Sequence, residues 1–320
     1  MSLSKPKKIL VVQYSQTGQL SSAVEAFIGP LQASSKAELT VLTLAPAEPY
    51  PFPWGFMQFL DVFPESVYLD PPPLKPYDID ESAEFDLIVL AYQVWFLSPS
   101  LPITGFLQSQ EAKKWLADKP VVTLIACRNM WVMAHETVKS LLAAMGAKLI
   151  DNVVLVDRGT ALSSFFTTVR WMFTGKKDPF WGFSDAGVAE DDIARTARFG
   201  RAIDHALNND SVFEKPLLTG LAAVNANYSL VQSEKIGYRS FLIWGKLIRR
   251  FGKQGDWSRK PVLLLYFIFL ITMIATVVPV NILVKKMLAP FMREKHEKMR
   301  AYYEMPSGSD EVRMEQFDGA

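Results

Sequence analysis

The sequence predicts an α/β fold: a doubly wound parallel sheet of five strands, followed by amphipathic and transmembrane helices toward the C-terminus. Three observations predict it. Short apolar runs rich in β-branched residues alternate with segments of helical periodicity. Three of those runs end in loops rich in polar and aromatic residues, and open α/β sheets bind ligands at such strand ends. Residues 261–284 carry no charged side chain, which is length enough to cross a bilayer as a helix.

The first strand is read at Ile9, Leu10, Val11 and Val12, too short a run for a helix. It opens into Tyr14, Ser15, Gln16, Thr17, Gly18 and Gln19. A helical pattern of Leu20, Val24, Phe27 and Leu31 follows at once. Strand, hydroxyl-rich loop and helix make an anion site, because the first helical turn has unpaired N–H groups and a positive dipole end. The loop is neither a Gly-Lys-Ser/Thr phosphate loop nor G-x-G-x-x-G. An ordinary turn capped by Ser15 or Thr17 is the plainer reading.

Residues 39–44 read as the second strand. Residues 45–80 break the pattern with Pro49, Pro51, Pro53, Trp54, Phe56, Phe59, Phe63 and Pro64. Prolines at that density interrupt regular elements, leaving room for a short helix over residues 54–63. The segment reads as a lid or docking surface, or as packing over the sheet edge. The remaining strands are expected over residues 86–91, 121–126 and 149–156, with helices over 106–116 and 133–145 between them. The third strand leads into Val94, Trp95 and Phe96, the fourth into Arg128, Asn129, Met130 and Trp131, the fifth into Asp157. An apolar insertion over 160–187 carries Phe165, Phe166, Trp171, Met172 and Phe173 beside Arg170, Lys176 and Lys177. It reads as a helix buried between domains or one lying in a membrane interface. A helix over 189–207, acidic at its start, closes the unit. The sheet-building residues all lie before Asn209, so a chain ending there is expected to fold alone.

Residues 211–260 read as a connector with a basic amphipathic helix over 236–252, suited to an anionic leaflet. The span at 261–284 follows, with Pro279 as a possible kink, and then residues 285–320, a basic helix and a polar tail expected to be disordered from Pro306. Lys and Arg residues flank the span on both sides, so the positive-inside rule does not orient it. A span that crosses and a re-entrant insertion both remain open.

With 320 residues, 49% of them hydrophobic, the chain has material for a full α/β core. A formal net charge of +1 gives no electrostatic ground for nucleic-acid binding. The single cysteine, Cys127, excludes an internal disulfide. The N-terminal apolar run is broken at Gln13 and is not a secretory signal peptide. No cluster suggests a metal.

The Ser-x-Thr-Gly-Gln loop at residues 15–19 resembles the phosphate loop of flavodoxins, and Val94-Trp95 followed by Ser98-Pro99 resembles their second loop. The likeness covers about residues 7–210. It implies a flavodoxin-like fold, an FMN phosphate held by Ser15, Gln16, Thr17, Gly18 and Gln19, and a flavin ring facing Val94, Trp95 and Phe96. Arg128, Asn129, Met130 and Trp131 would border the ring; the sequence leaves the electron donor open, with NAD(P)H as one candidate. Leu20 stands where flavodoxins commonly have threonine, and Leu97 where glycine is usual. A further likeness, carried by residues 91–95, 127–131 and 171–177, is to bacterial proteins labelled dialkylresorcinol condensing enzymes. It implies a place in synthesis of an aryl polyene-type lipid. The chain's Cys127 and three histidines do not match a ketosynthase, so a separate ketosynthase is the expected partner. Two enzyme readings result: FMN-dependent redox on a hydrophobic aromatic or polyketide intermediate, or a non-redox cyclase. In the cyclase Arg128 would stabilise an enolate, and Asp157 or His135 would move protons. A non-enzymatic membrane scaffold is the third reading. The expected location is the inner membrane, with the α/β unit in the cytoplasm.

Overall fold

The computed structural model describes residues 5–159, 161–209, 213–288 and 293–318. In chain order the elements are β1 (Lys7–Gln13), α1 (Gln19–Gln32), β2 (Ala37–Thr43), α2 (Phe56–Tyr68), β3 (Leu87–Trp95), β4 (Ser98–Pro99), α3 (Leu101–Gln108), α4 (Gln110–Leu116), β5 (Pro120–Cys127), α5 (Val132–Ala144), β6 (Lys148–Val156), α6 (Ala161–Thr174), α7 (Glu190–Ala194), α8 (Ala197–Asn208), α9 (Tyr228–Arg249), α10 (Lys260–Leu288), α11 (Arg293–Tyr303) and α12 (Met314–Phe317).

Five strands pair in parallel in the order β2-β1-β3-β5-β6, and the two-residue β4 folds back antiparallel on the end of β3. This is the flavodoxin-like order, with its reversal between β1 and β3. The apolar strands are sealed because both faces are covered: Ile9 to Val12, Leu87 to Tyr92 and Leu124 to Ile125 are fully buried. One expected helix is two. Ser109 leaves helical geometry, ends α3 and caps α4 by accepting a bond from Ala112 N–H at 3.1 Å. The helix expected over 189–207 is likewise α7 and α8.

The Pro- and aromatic-rich segment is a stitched loop. Its ends are tied by Ala47 N–H to Pro73 O and Lys75 N–H to Ala45 O, and α2 stands between them.

The C-terminal region departs most from expectation. Residues 217–226 lie along the outer edge of β6, with Val154 N–H donating to Ala223 O. The tail then pairs with that segment through Ala222 N–H to Asp310 O, Val224 N–H to Gly308 O and Arg313 N–H to Gly220 O. Ser307 is fully buried and donates its hydroxyl to Asp151 at 2.7 Å, while Tyr303 and Phe317 join the main core. The tail from Pro306 is therefore ordered over its described residues. A sequence that looks polar packs because its few apolar and hydroxyl groups meet partners fixed by β6. For the same reason residues 1–210 are not self-contained: Phe213, Leu218, Leu221, Val224, Tyr303 and Phe317 belong to the same core as the sheet.

The first part of α10 also packs on this body. Arg259, fully buried, forms a two-pronged ion pair with Glu65 of α2 at 2.9 and 3.0 Å and a further one with Asp61 at 3.0 Å. Leu263 and Tyr266 sit against Phe63 and Ile248, with the rings of Phe63 and Tyr266 stacked at 4.4 Å. Leu264 and Leu265, between Leu263 and Tyr266, and Ile268 and Ile271 after them, are exposed. Among the described residues one helix, over Trp257–Thr276, is long and apolar enough to cross a membrane. The side chain of Pro279, with those of residues 277–293, lies outside the described residues.

Candidate functional site

Three carboxyl-terminal strand ends converge on one cavity of about 200 Å³. Gln16, Thr17, Gln19 and Leu20 follow β1. Gln93, Val94, Trp95 and Phe96 close β3, and Ala126, Cys127 and Arg128 close β5. Two insertions complete the wall: Phe52, Trp54, Phe59 and Val62 from the stitched loop and α2, and Thr168, Trp171 and Met172 from α6.

The β1–α1 loop has the features of an anion cradle. Gly18 sits at φ +83°, open enough that a Cβ would meet nothing within 4 Å, and no side chain caps α1. The Ser15 hydroxyl is buried with no partner among the described residues, an unsatisfied state that costs free energy unless a ligand completes it. These residues fit a phosphate. The glutamine side chains are committed elsewhere. Gln16 donates to Pro51 O at 2.9 Å, and its backbone N–H is taken by Gln93 Oε1 at 3.1 Å. The Gln19 amide bonds both the N–H and the C=O of Val188, at 3.0 and 2.9 Å. These two residues brace the loop; their side chains are not free for a cofactor.

Trp95 faces the cavity inside a cage of edge-on rings: Tyr14 at 5.9 Å, Tyr50 at 5.0 Å and Trp54 at 5.9 Å. Phe96 also lines the cavity, yet its ring packs beneath α2 against Phe59 and Phe63. Phe96 and Leu97 adopt φ +49° and +62°, so the position where flavodoxins favour glycine does take the left-handed backbone that glycine suits. The backbone bears strain there.

Arg128 is the one cation in the wall. Its guanidinium lies over the Phe165 ring at 5.5 Å. Burial lowers its pKa, partly offset by the nearby Asp157 carboxylate. Among the described residues it forms no ion pair. Asp157 does not line the cavity. It accepts from Gly159 N–H at 2.6 Å and Gly187 N–H at 3.2 Å, and so it holds the 187–188 turn against Gln19. Gly187 is required there, because its φ is +92° and a Cβ would lie 2.5 Å from Gln19 Oε1.

The expected proton carrier His135 is corrected. It lies on α5, 2% exposed, with Nδ1 3.1 Å from the Tyr92 hydroxyl, and burial holds its pKa at about 3. It stays neutral and does not face the cavity. Trp131 is likewise a core residue at the start of α5, and Asn129 and Met130 do not line the cavity. Helix geometry accounts for these misses. In this strand-end loop only Arg128 reaches the pocket; Asn129 and Met130 are half-buried outside it, and Trp131 turns into the core as α5 begins. Burial, with a contribution from Glu234, raises the Cys127 thiol pKa, so no thiolate nucleophile is available. No group of three or more His, Cys, Asp or Glu suited to a metal occurs among the described residues.

The residues missed by sequence reasoning are those of α2, α6 and the Gly187–Val188 turn. Their only sequence signal was aromatic density at 45–80 and 160–187, and the Trp54 N–H to Met172 O bond at 2.8 Å that joins the two insertions is not a local feature.

No family model and no curated protein matches this chain. Solved structures do. A flavoprotein from Lactobacillus acidophilus in complex with FMN matches at 18% identity over 46% of this chain and 93% of that one, with a TM-score of 0.37. A flavodoxin from an archaeon matches at 12% identity over 63% and 99%, with a TM-score of 0.35. Flavodoxin 1 from Bacillus cereus matches at 12% over 61% and 95%, with a TM-score of 0.33. At this distance the likenesses carry no argument about chemistry; the strand order sets the fold, a parallel α/β sheet of flavodoxin-like type.

Proposed function

We propose that this chain is an FMN-binding protein, held at the inner membrane by α10, that carries out redox chemistry on a hydrophobic aromatic or polyketide intermediate. The observation that carries the reading is one aromatic-walled cavity whose wall holds Arg128, which forms no ion pair among the described residues, and Gln16, Thr17 and Gln19 of the loop that carries the uncapped α1 N-terminus and the orphaned Ser15 hydroxyl. Backbone N–H groups of residues 17–20 and the Ser15 and Thr17 hydroxyls would hold the phosphate. Val94 and Trp95 would face the ring, and Arg128 would balance negative charge in the cavity. Bound FMN would supply hydride or electron transfer, with NAD(P)H as donor. The cavity is smaller than the ~300 Å³ at which drug-sized pockets begin. The rings of Trp54 and Trp171 must therefore swing outward to admit a flavin, an adjustment that apolar contacts permit more readily than hydrogen bonds.

The cyclase alternative loses its proton carriers, since His135 is sealed and Asp157 is engaged with two backbone N–H groups. The scaffold reading keeps one support, the absence of any activated nucleophile among the described residues. A place beside a ketosynthase in synthesis of an aryl polyene-type lipid is the pathway this reading favours. Full-length protein purified in detergent should be yellow and should release FMN on denaturation. Colourless protein that takes up no FMN on titration would exclude the redox reading and leave the scaffold.

A further inference from the structure

We infer that the unbroken α10 lies along one leaflet rather than crossing the membrane, and that the chain returns to the body on the same side, so that the tail and the cavity share one compartment. This rests on the reading of α10 as a membrane anchor. Three independent observations carry it.

The first is that both flanks of the segment are fixed to one body. Before it, Arg259 is locked to Glu65 and Asp61, and Tyr266 stacks on Phe63. After it, Tyr302 donates to Glu136 of α5 at 3.2 Å, Glu304 accepts from Ala226 N–H at 3.2 Å, and Ser307 donates to Asp151. Moving the tail across a bilayer would strip those bonds and leave Asp151 buried beside empty space.

The second is reach. α11 has 11 residues, so it rises about 15 Å, and residues 289–292 together with their flanking bonds extend at most about 18 Å. The end of α10 thus lies within about 33 Å of Tyr303, short of the ~40–45 Å of a bilayer with its headgroups.

The third is charge. Lys246, Arg250, Lys253 and Lys260 precede the segment, and Lys285, Lys286, Arg293, Lys295, Lys298 and Arg300 follow it. A crossing helix would strand one basic set on the wrong side, whereas a return places both on the anionic, positive-inside face.

The surface that would meet lipid is continuous with the cavity wall. Phe267 of α10 contacts Phe56 at 4.8 Å, Phe56 contacts Phe173 at 5.9 Å, and Phe173 contacts Phe59, a cavity residue, at 5.7 Å. Trp257, just before α10, and Trp181, in the insertion after α6, are 77% and 90% accessible, as interfacial tryptophans are. A substrate dissolved in the bilayer would meet the cavity from its aromatic side.

Cysteine labelling of the full-length chain in sealed inverted membrane vesicles tests the topology. Val312, 86% exposed, and Lys113, exposed on α4, are each changed to Cys; the parent chain controls for Cys127. A membrane-impermeant maleimide should label Val312→Cys and Lys113→Cys to the same extent without detergent. Glu315→Cys, a second exposed tail position, should behave likewise. Labelling of Lys113→Cys with the tail positions protected until detergent is added would overturn the same-side return while leaving the anchor intact. Release of the parent protein by alkaline carbonate would overturn the anchor reading and this inference with it.

Discussion

The two sides of the cavity are built by different physics. The strand-end side is fixed by directional hydrogen bonds: Gln16 to Pro51, Gln93 to Gln16, Gln19 to Val188, Asp157 to Gly159 and Gly187. The insertion side is a mosaic of rings around Trp54, Trp95, Phe59 and Phe173, in contact at 5 to 6 Å and mostly edge to face. Each ring contact contributes about 0.5–1.5 kcal/mol beyond burial, and none fixes a unique geometry. The polar side holds a shape, and the aromatic side can yield to a ligand.

Substitutions on the two sides should separate these behaviours. The largest effect is expected from Gly187→Val, which forces a branched side chain into a left-handed backbone and onto Gln19. Such strain costs about 1–3 kcal/mol before the clamp is lost; Tm should fall and bound flavin should drop at least about tenfold, read by absorbance and thermal melting. Trp95→Ala comes next. It removes three ring contacts, and large-to-small changes of this kind cost about 3–5 kcal/mol when fully buried; this half-buried site should lose less. Any flavin retained should fluoresce more brightly, and an unchanged emission would place Trp95 away from the ring. Thr17→Ala, which leaves the left-handed Gly18 in place, should leave Tm within a few degrees but weaken FMN binding about tenfold, about 1.4 kcal/mol, measured by titration. A matching loss of Tm would mean the loop is structural and carries no phosphate.

The smallest effect lies outside both sides. Glu234 of α9 is buried at the N-terminus of α5, accepting from Met133 N–H at 2.6 Å, and burial raises its pKa to about 7. Its folded pKa exceeds its unfolded one, so the stability it contributes is present at low pH and is lost as pH rises through about 7. Asp151, raised to about 6 by burial, acts in the same direction. Tm should therefore decline from pH 5.5 to pH 8, and Glu234→Gln should flatten part of that decline. An unchanged decline in the variant would show that the helix N-terminus keeps the carboxylate ionised.

What the sequence revealed follows the same division. Strands and the β1–α1 loop are specified by neighbours in sequence, and all five strands fall within three residues of where apolar runs place them at their N-terminal ends. Arg128 was legible because it directly follows a strand. Trp171, Met172 and Val188 were not, because they reach the cavity through contacts with Phe52, Trp54 and Gln19 more than a hundred residues away. The packed tail escaped for a related reason. Ser307 and Phe317 carry no local pattern, and their partners Asp151, Asn152 and Arg201 are spread over the α/β unit.

The covering of β6 has a consequence for solubility. A sheet has two edges, and an open edge offers unpaired N–H and C=O groups to any passing strand. On one side β2 is such an edge, bonded to β1 alone, with Val41 44% exposed at its face. On the other, residues 217–226 and then the tail close β6. A chain cut after Asn209 would uncover this second edge together with the apolar surface beneath Leu218, Leu221 and Val224. Two open edges on one sheet permit head-to-tail growth, where one permits at most a pair. Such a truncation should precipitate as ordered aggregates rather than remain a soluble domain, whereas a cut between α9 and α11, which keeps residues 217–226 on β6, should stay more soluble and gain further from added 293–318 peptide.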